Sequence, residues 1–182
     1  MGWFNVLKGA YPTLQQIDKT LDVGAGEVGI VRGSLMYQDT TNVFKLAMAV
    51  DKTDATKYLY FALQAQTDLV AGMAGSIGQG VAKVYPGMTA GVARVTGLAV
   101  GMPFEFETDQ FVADQYVIGQ LLTVADGGKL ADHTSGDNCV AQVTKTVFTR
   151  WVNDAVAITG WRTGANVNVL TARTLWIPVL VA

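Results

Sequence analysis

Two glutamates, Glu105 and Glu107, have the spacing that comes nearest to a catalytic pair. Phe104 and Phe106 alternate with them, so residues 102–108 predict a strand that carries both carboxylates on one face, roughly 6.5–7 Å apart. Inverting glycosidases hold their two carboxyl groups at about this separation. The solvated face of an ordinary strand has the same pattern, and this is the interpretation that we adopt.

The single histidine, His133, lies between Asp132 and Asp137 in a segment that could fold these three side chains around a metal ion. Turn geometry alone also favours Asp, Ser and Gly, so we expect a solvated loop over 133–138. His133 is also the only histidine base for a nucleophile such as Cys139, and no serine lies in a G-x-S-x-G elbow. We therefore predict no enzymatic activity, no cofactor and no metal.

Residues 24–29 match the G-x-G-x-x-G pattern of dinucleotide-binding turns. That turn needs a buried strand before it and a helix after it, because the helix N-terminus binds the pyrophosphate. Here polar residues precede the glycines and a strand-like pattern follows them, so we interpret the segment as a hinge. Among the aromatic residues, Trp151 and Trp161 could stack against a sugar ring, which keeps a carbohydrate-binding module among the alternatives.

Short apolar segments separated by Gly, Asp and Asn turns run from residue 28 to the C-terminus. This pattern predicts an all-β fold, a small β-barrel or sandwich with an N-terminal extended arm. Asp126-Gly127-Gly128 predicts a tight hairpin. The pattern assigns no secondary structure to residues 150–158, and it predicts a loop over residues 160–166. The predicted strands are 28–35, 43–50, 57–66, 81–85, 89–100, 102–108, 116–124, 139–145 and 173–181.

Residues 1–27 differ from the rest, because their apolar side chains are unevenly spaced and Pro12 interrupts any long helix. We predict that they form an arm that contacts a partner protein, and that residues 28–182 form the β-barrel-like domain. The alternative is a segment that closes the domain's own core. Deletion of residues 1–20 is expected to abolish partner binding and leave the domain folded. The predicted contact residues are Trp3, Phe4, Val6, Leu7, Tyr11, Leu14 and Ile17.

Half of the 182 residues are hydrophobic and only 15% are charged, with a net charge of −2. Soluble domains typically carry about 25% charged residues. A subunit that hides part of its surface in an assembly needs less charge than a lone globule. Because Lys and Arg are scattered and no apolar run reaches about 18 residues, we predict neither a nucleic-acid partner nor a membrane partner. The N-terminus has no signal-peptide pattern, which favours synthesis in a cytosol-like compartment.

Residues 116–143 combine a strand, the Gly127-Gly128 hairpin, a polar Gly136-Asp137 loop and a Val-rich strand. This unit resembles the head decoration (cement) proteins of tailed bacteriophages. The resemblance implies a barrel-like structural protein that binds the outside of the capsid and stabilises it by bridging major capsid subunits. It also implies a trimer, an arm on the major capsid protein, and synthesis in the host cytoplasm. The alternatives are another virion component, such as a head-fibre, tail or minor capsid protein, and a carbohydrate-binding β-sandwich.

Overall fold

The computed structural model describes residues 3–9, 18–24, 27, 30–63, 94–101, 103–153 and 164–179. These residues are nearly all β, which confirms the predicted fold class. A 3-10 helix at Ala49–Thr53 is the one helix among them. The strands are β1 (Phe4–Gly9), β2 (Asp18–Asp22), β3 (Leu35–Gln38), β4 (Phe44–Leu46), β5 (Leu59–Ala62), β6 (Arg94–Ala99), β7 (Phe104–Thr108), β8 (Leu121–Ala125), β9 (Lys129–Asp132), β10 (Cys139–Asn153) and β11 (Gly164–Ile177).

The strands form two antiparallel sheets. Sheet A has the order β1-β7-β11-β10-β8-β9, and sheet B has the order β2-β6-β5-β3-β4. Sheet B nearly closes into a barrel, because Val23 after β2 forms a bridge with Phe44 at the start of β4. The amide of Gly24 donates to the carbonyl of Phe44 at 2.8 Å and extends this closure. The two edge strands of sheet B therefore meet.

The alternation of side chains along sheet B supplies two separate cores, because successive residues of a strand point to opposite faces. In β3, Leu35 packs in the core shared with sheet A, and Met36 packs in the core inside sheet B. In β5, Phe61 packs in the core shared with sheet A, and Ala62 packs in the core inside sheet B. Each fully buried Leu or Phe contributes about 1.5–3 kcal/mol, so both cores hold the strands in register.

The N-terminal segment supplies one edge strand to each sheet. β1 pairs with β7 in sheet A, and β2 pairs with β6 in sheet B. The alternative that we stated from the sequence, a segment that closes the domain's own core, therefore describes residues 4–9 and 18–22. Residues 10–17 lie outside the described part of the chain.

The hairpin between β8 and β9 joins the two sheets through backbone hydrogen bonds. The predicted Gly127-Gly128 turn is present, with both residues at positive φ. The amide of Gly128 donates to Ala47 O at 2.8 Å, and the amide of Leu35 donates to Gly128 O at 2.7 Å. The Asp126 carboxylate accepts from the amide of Ala49 at 2.9 Å. The turn therefore docks on β3 and on the start of the 3-10 helix.

Several predicted boundaries are wrong. The strand predicted at 43–50 is β4, which ends at Leu46 before the 3-10 helix, and the strand predicted at 116–124 is β8, which begins only at Leu121 after a turn. The strand predicted at 28–35 is β3, which begins only at Leu35, because a turn with Gly33 at positive φ precedes it. Residues 164–166, predicted as loop, belong to β11, whose described length extends well before residue 173. The same strand ends at Ile177, since Pro178 has no amide hydrogen for the ladder. In the described part of the chain, no helix has the length and apolar character that a membrane crossing requires.

Candidate functional site

The predicted contact residues that the structure describes do not share one surface. Phe4 is buried, and its ring stacks on Phe61 at 5.1 Å and lies 5.4 Å from Phe106. Phe4 is therefore a core residue, and partner contact through its side chain would require β1 to leave the sheet. Trp3, Val6 and Leu7 are half-buried, whereas Tyr11, Leu14 and Ile17 lie outside the described residues.

The two glutamates lie on the face of sheet A that points away from the core, because they alternate with the core residues Phe104 and Phe106. Glu107 is only 3% exposed, and its carboxylate is paired with Arg150 at 2.8 Å. Glu105 is half-buried and accepts a hydrogen bond from Thr144 Oγ1 at 2.9 Å. The solvated strand face that we expected is therefore wrong for Glu107, since its carboxylate is buried and pairs with the partly exposed side chain of Arg150.

The polar loop between β9 and β10 is held together by its own side chains. The imidazole Nε2 of His133 lies 2.9 Å from Asp137 O, so this nitrogen donates to the carbonyl. The Asp137 carboxylate accepts from the amide and the hydroxyl of Thr134 and pairs with Lys52 at 3.3 Å. Burial alone would raise the pKa of Asp137, but these hydrogen bonds hold it below its usual value. Asp132 accepts from the Gln120 side chain at 2.8 Å, so the described residues bring no group of three metal ligands together.

Cys139 is placed where we expected it, at the start of a strand and in the core. It is 2% exposed, and burial raises the pKa of its thiol. The thiol donates a weak hydrogen bond to Ala141 O at 3.6 Å. A buried thiol with a raised pKa is a poor nucleophile, so Cys139 acts as a small packing residue.

The most distinctive feature of the structure is a long hairpin that continues beyond its neighbours. β8 pairs with β10 only at residues 141–142, and β7 pairs with β11 only at residues 170–173. Beyond them, residues 148–153 of β10 pair with residues 164–169 of β11, and no other strand of the described chain pairs with this segment, which we call the ribbon.

The ribbon has two chemically different faces. Phe148 and Arg150 pair with Val169 and Val167 on one face, which is half-buried to buried. Arg150 anchors that face to sheet A through its ion pair with Glu107. The other face is exposed along its whole described length, and we call it the outer ribbon face. It consists of Thr149, Trp151, Asn166 and Asn168.

Trp151 dominates the outer ribbon face, with 59% of its surface exposed. Asn166 is its cross-strand partner, and Thr149 Oγ1 lies 3.3 Å from Asn168 Oδ1 beside it. A large amphipathic ring flanked by amide and hydroxyl groups can bind another protein through a hydrophobic anchor with polar contacts around it. The same arrangement can stack on a sugar ring.

A second exposed apolar pair lies in the turn before β8. Val117 and Ile118 are 64% and 67% exposed, and Gly119 follows them at φ 90°. The turn is fixed to β10, because the amide of Gly119 donates to Val143 O at 2.9 Å. These two side chains are therefore presented on a rigid backbone, as contact residues are.

Comparisons with family models, with curated proteins and with solved structures give no match for this chain. The assignment of function therefore depends on the chemistry of the described surfaces. Among these, the outer ribbon face combines exposure with a large aromatic side chain.

Proposed function

We propose that this chain is a non-catalytic structural virion protein that binds the outside of a bacteriophage capsid and stabilises it by bridging major capsid subunits. Its partners are the major capsid protein and further copies of itself, and it is made in the host cytoplasm before it joins the capsid surface. The observation that carries the proposal is the outer ribbon face, on which Trp151 is 59% exposed.

The composition of that face supports contact with protein. Buried Trp, Tyr and Arg side chains account for most of the binding energy in protein interfaces, and neighbouring polar residues exclude water around them. Trp151 between Asn166 and Asn168 has this composition. The two-sheet fold beneath it supplies a rigid scaffold, which lowers the entropy lost on binding.

The unit on which the resemblance depends also supports the proposal. The turn, β8, the Gly127-Gly128 hairpin, β9, the polar loop and the start of β10 follow one another over residues 116–143. The low share of charged residues, 15%, is typical of a chain that hides part of its surface in an assembly.

The N-terminal strand offers a second mode of contact. β1 is the terminal strand of sheet A, so among the described residues no strand pairs with its other edge. Strand addition to such an edge uses backbone hydrogen bonds and needs few specific side chains. A capsid segment that adds to β1 would leave Phe4 in the core.

The test is co-sedimentation of the purified protein with capsid shells assembled from the major capsid protein of the same genome. We expect the protein to pellet with the shells, and Trp151→Ala to weaken binding by roughly tenfold or more, as loss of an interface anchor does. Val50→Ala is the matched control, because Val50 is 78% exposed in the 3-10 helix, away from the ribbon. Equal binding by both variants would exclude the outer ribbon face, and no pelleting of the unmodified chain would exclude the decoration role.

Quantitative mass spectrometry of purified particles separates the virion roles from one another. A copy number close to that of the major capsid protein supports a decoration role. A few copies per particle would instead favour a head-fibre, tail or minor capsid protein.

A carbohydrate-binding module is the second candidate, and the exposed ring of Trp151 beside Asn166 favours it specifically. A glycan array distinguishes the two candidates. Binding to defined sugars that Trp151→Ala abolishes would establish the module, and binding to shells without any glycan signal would exclude it.

A further inference from the structure

The ribbon needs support from outside its own two strands. Within the described chain, only β10 and β11 pair along it. A two-stranded segment by itself is marginally stable in water, because stable sheets need a third strand or a packed face. Side-chain contacts with sheet A must therefore fix the direction of the ribbon, and Arg150 makes such a contact.

Arg150 reaches from the ribbon to a strand that is not its neighbour. It lies on β10, whereas its partner Glu107 lies on β7, and β11 separates these two strands in sheet A. The register between β10 and β11 shifts between Lys145 and Phe148, where the ribbon begins. Such irregularities bend a strand and increase its twist. The contact of Arg150 therefore fixes the ribbon just beyond this bend.

Three groups hold the guanidinium of Arg150. Its Nη2 donates to Glu107 Oε1 at 2.8 Å. Its Cζ lies 5.9 Å from the centre of the Trp3 ring and 5.5 Å from the centre of the Phe148 ring. Both distances are within the range of about 6 Å for cation–π contacts. A planar guanidinium that pairs with a carboxylate and also packs on aromatic rings is held in one orientation.

The charge of Glu107 makes this contact costly to break. Glu107 is 3% exposed, whereas the side chain of Arg150 is 39% exposed. A buried carboxylate that loses its cation is strongly destabilising. Movement of the ribbon away from sheet A would separate the two charges, so the pair opposes this movement.

We infer that Arg150 is the positioning residue of the outer ribbon face. Arg150 and Trp151 are consecutive in β10, so their side chains point to opposite faces of the ribbon. The contact of Arg150 with Glu107 therefore sets the direction in which Trp151 is presented. The position of the ribbon does not depend on what binds there, but its effect on binding rests on the proposed function.

The same contact joins the ribbon to the N-terminal strand. Trp3 directly precedes β1, and Asp109 holds it after β7. The Asp109 amide donates to Trp3 O at 3.2 Å, and its carboxylate accepts from the Trp3 amide at 2.7 Å. Arg150 packs on the Trp3 ring, so the edge of β1 and the outer ribbon face are connected through one side chain. These are the two contact surfaces of the proposed function.

Hydrogen exchange of the full chain, measured by mass spectrometry, tests the position of the ribbon without any partner. In Arg150→Met we expect amides of residues 148–153 to exchange at least about tenfold faster, with β8 unchanged. Arg173→Met is the matched control, because Arg173 lies outside the ribbon and donates from Nε to Gln142 Oε1 at 3.1 Å. Ribbon exchange in Arg150→Met as slow as in the parent would overturn the inference.

A double variant separates positioning from the neutralisation of Glu107. Glu107→Gln combined with Arg150→Met removes both charges, so no buried charge is left unpaired. We expect this variant to recover most of any Tm that Arg150→Met loses, while the ribbon still exchanges fast. Recovery of slow ribbon exchange would show that Arg150 only neutralises Glu107, and would exclude the positioning role.

Co-sedimentation with capsid shells then tests the effect on binding. Arg150→Met should bind about three- to tenfold more weakly, because an unfixed ribbon loses more conformational entropy on binding, and Arg173→Met should bind like the parent. If the unmodified chain does not pellet, the proposed function fails, while the exchange result still decides the position of the ribbon. If the parent pellets and Arg150→Met binds equally well, Arg150 does not position the outer ribbon face for binding.

Discussion

Gly128 and Leu35 hold the two sheets together through their backbones. The amide of Leu35 donates to Gly128 O at 2.7 Å, and Gly128 has a φ of 65°. A Cβ on Gly128 would collide with the carbonyl oxygen of Leu35, so only glycine permits this approach. The hairpin that the sequence predicts from its turn residues is thus also a joint between sheet A and sheet B.

Replacement of this glycine should therefore cost more than replacement of its neighbour. Gly127 also has a positive φ, but a Cβ there would meet nothing within 4 Å. We expect Gly127→Ala to cost about 1–2 kcal/mol from backbone strain alone. Gly128→Ala should add roughly 1–3 kcal/mol for the forced separation of the sheets. Urea unfolding of both variants measures the difference. Equal losses of stability would mean that the contact between Gly128 and Leu35 can open without a cost in free energy.

The N-terminal strand should prove to be part of the folded domain. Phe4→Ala removes a ring from the core, so we expect a loss of about 3–5 kcal/mol in the free energy of unfolding. Asn5→Ala is the control on the same strand, since Asn5 is exposed, and it should change stability by no more than about 0.5 kcal/mol. Chemical denaturation followed by circular dichroism measures both.

This result also bears on the deletion of residues 1–20 that the sequence suggested. The deletion removes β1 and part of β2, and we now expect it to destabilise the domain as well as alter binding. If the truncated protein and the Phe4→Ala variant were both as stable as the full chain, the N-terminal segment would be an arm outside the domain, as the sequence predicted.

The interior of sheet B should not accept another methyl group at Gly97. A Cβ there would lie 2.8 Å from Met36 Cε, 2.9 Å from Phe44 Cζ and 2.9 Å from Tyr60 Cβ. We expect Gly97→Ala to lower the free energy of unfolding by about 1–3 kcal/mol, because the barrel must expand to admit it. Thermal unfolding is the measurement, and an unchanged Tm would indicate that the barrel interior has room.

The loop carboxylate Asp137 should make the stability of the domain depend on acid pH. Its pKa is lower in the folded chain than in the unfolded chain, where it is about 3.9. Its contribution is therefore present above that value and is lost as the pH falls through the lower, folded pKa. We expect Asp137→Asn to cost about 1–2 kcal/mol at pH 7 and progressively less below pH 4.

Urea midpoints at pH 7 and at about pH 3 measure this effect, since carboxylates titrate in that range. Asp114→Asn is the control, because Asp114 is exposed and accepts only from the amide of Gln115 in the described contacts. A constant difference between Asp137→Asn and the parent at both pH values would contradict the assigned role.

Part of the candidate site, the strand that carries Trp151, could not be predicted from the sequence. The sequence indicates Trp151 as an aromatic residue that could stack on a sugar ring, but it does not predict the strand that carries it. β10 has register shifts between Val143 and Lys145 and between Lys145 and Phe148, and each shift changes the phase of the alternation. The apolar pattern of 139–145 therefore does not continue into 148–153, and a single long strand reads as two unrelated segments.

The sequence alone determined the β class, the Gly127-Gly128 hairpin, the polar loop around His133 and the buried position of Cys139. These features depend on local rules, namely period-two alternation and the φ values that glycine permits. Only the tertiary structure decided that Phe4 belongs to the core, that Glu107 is buried against Arg150, and that β10 and β11 continue as a ribbon. Pairing between distant strands sets all three, because burial of a side chain depends on which strands cover it.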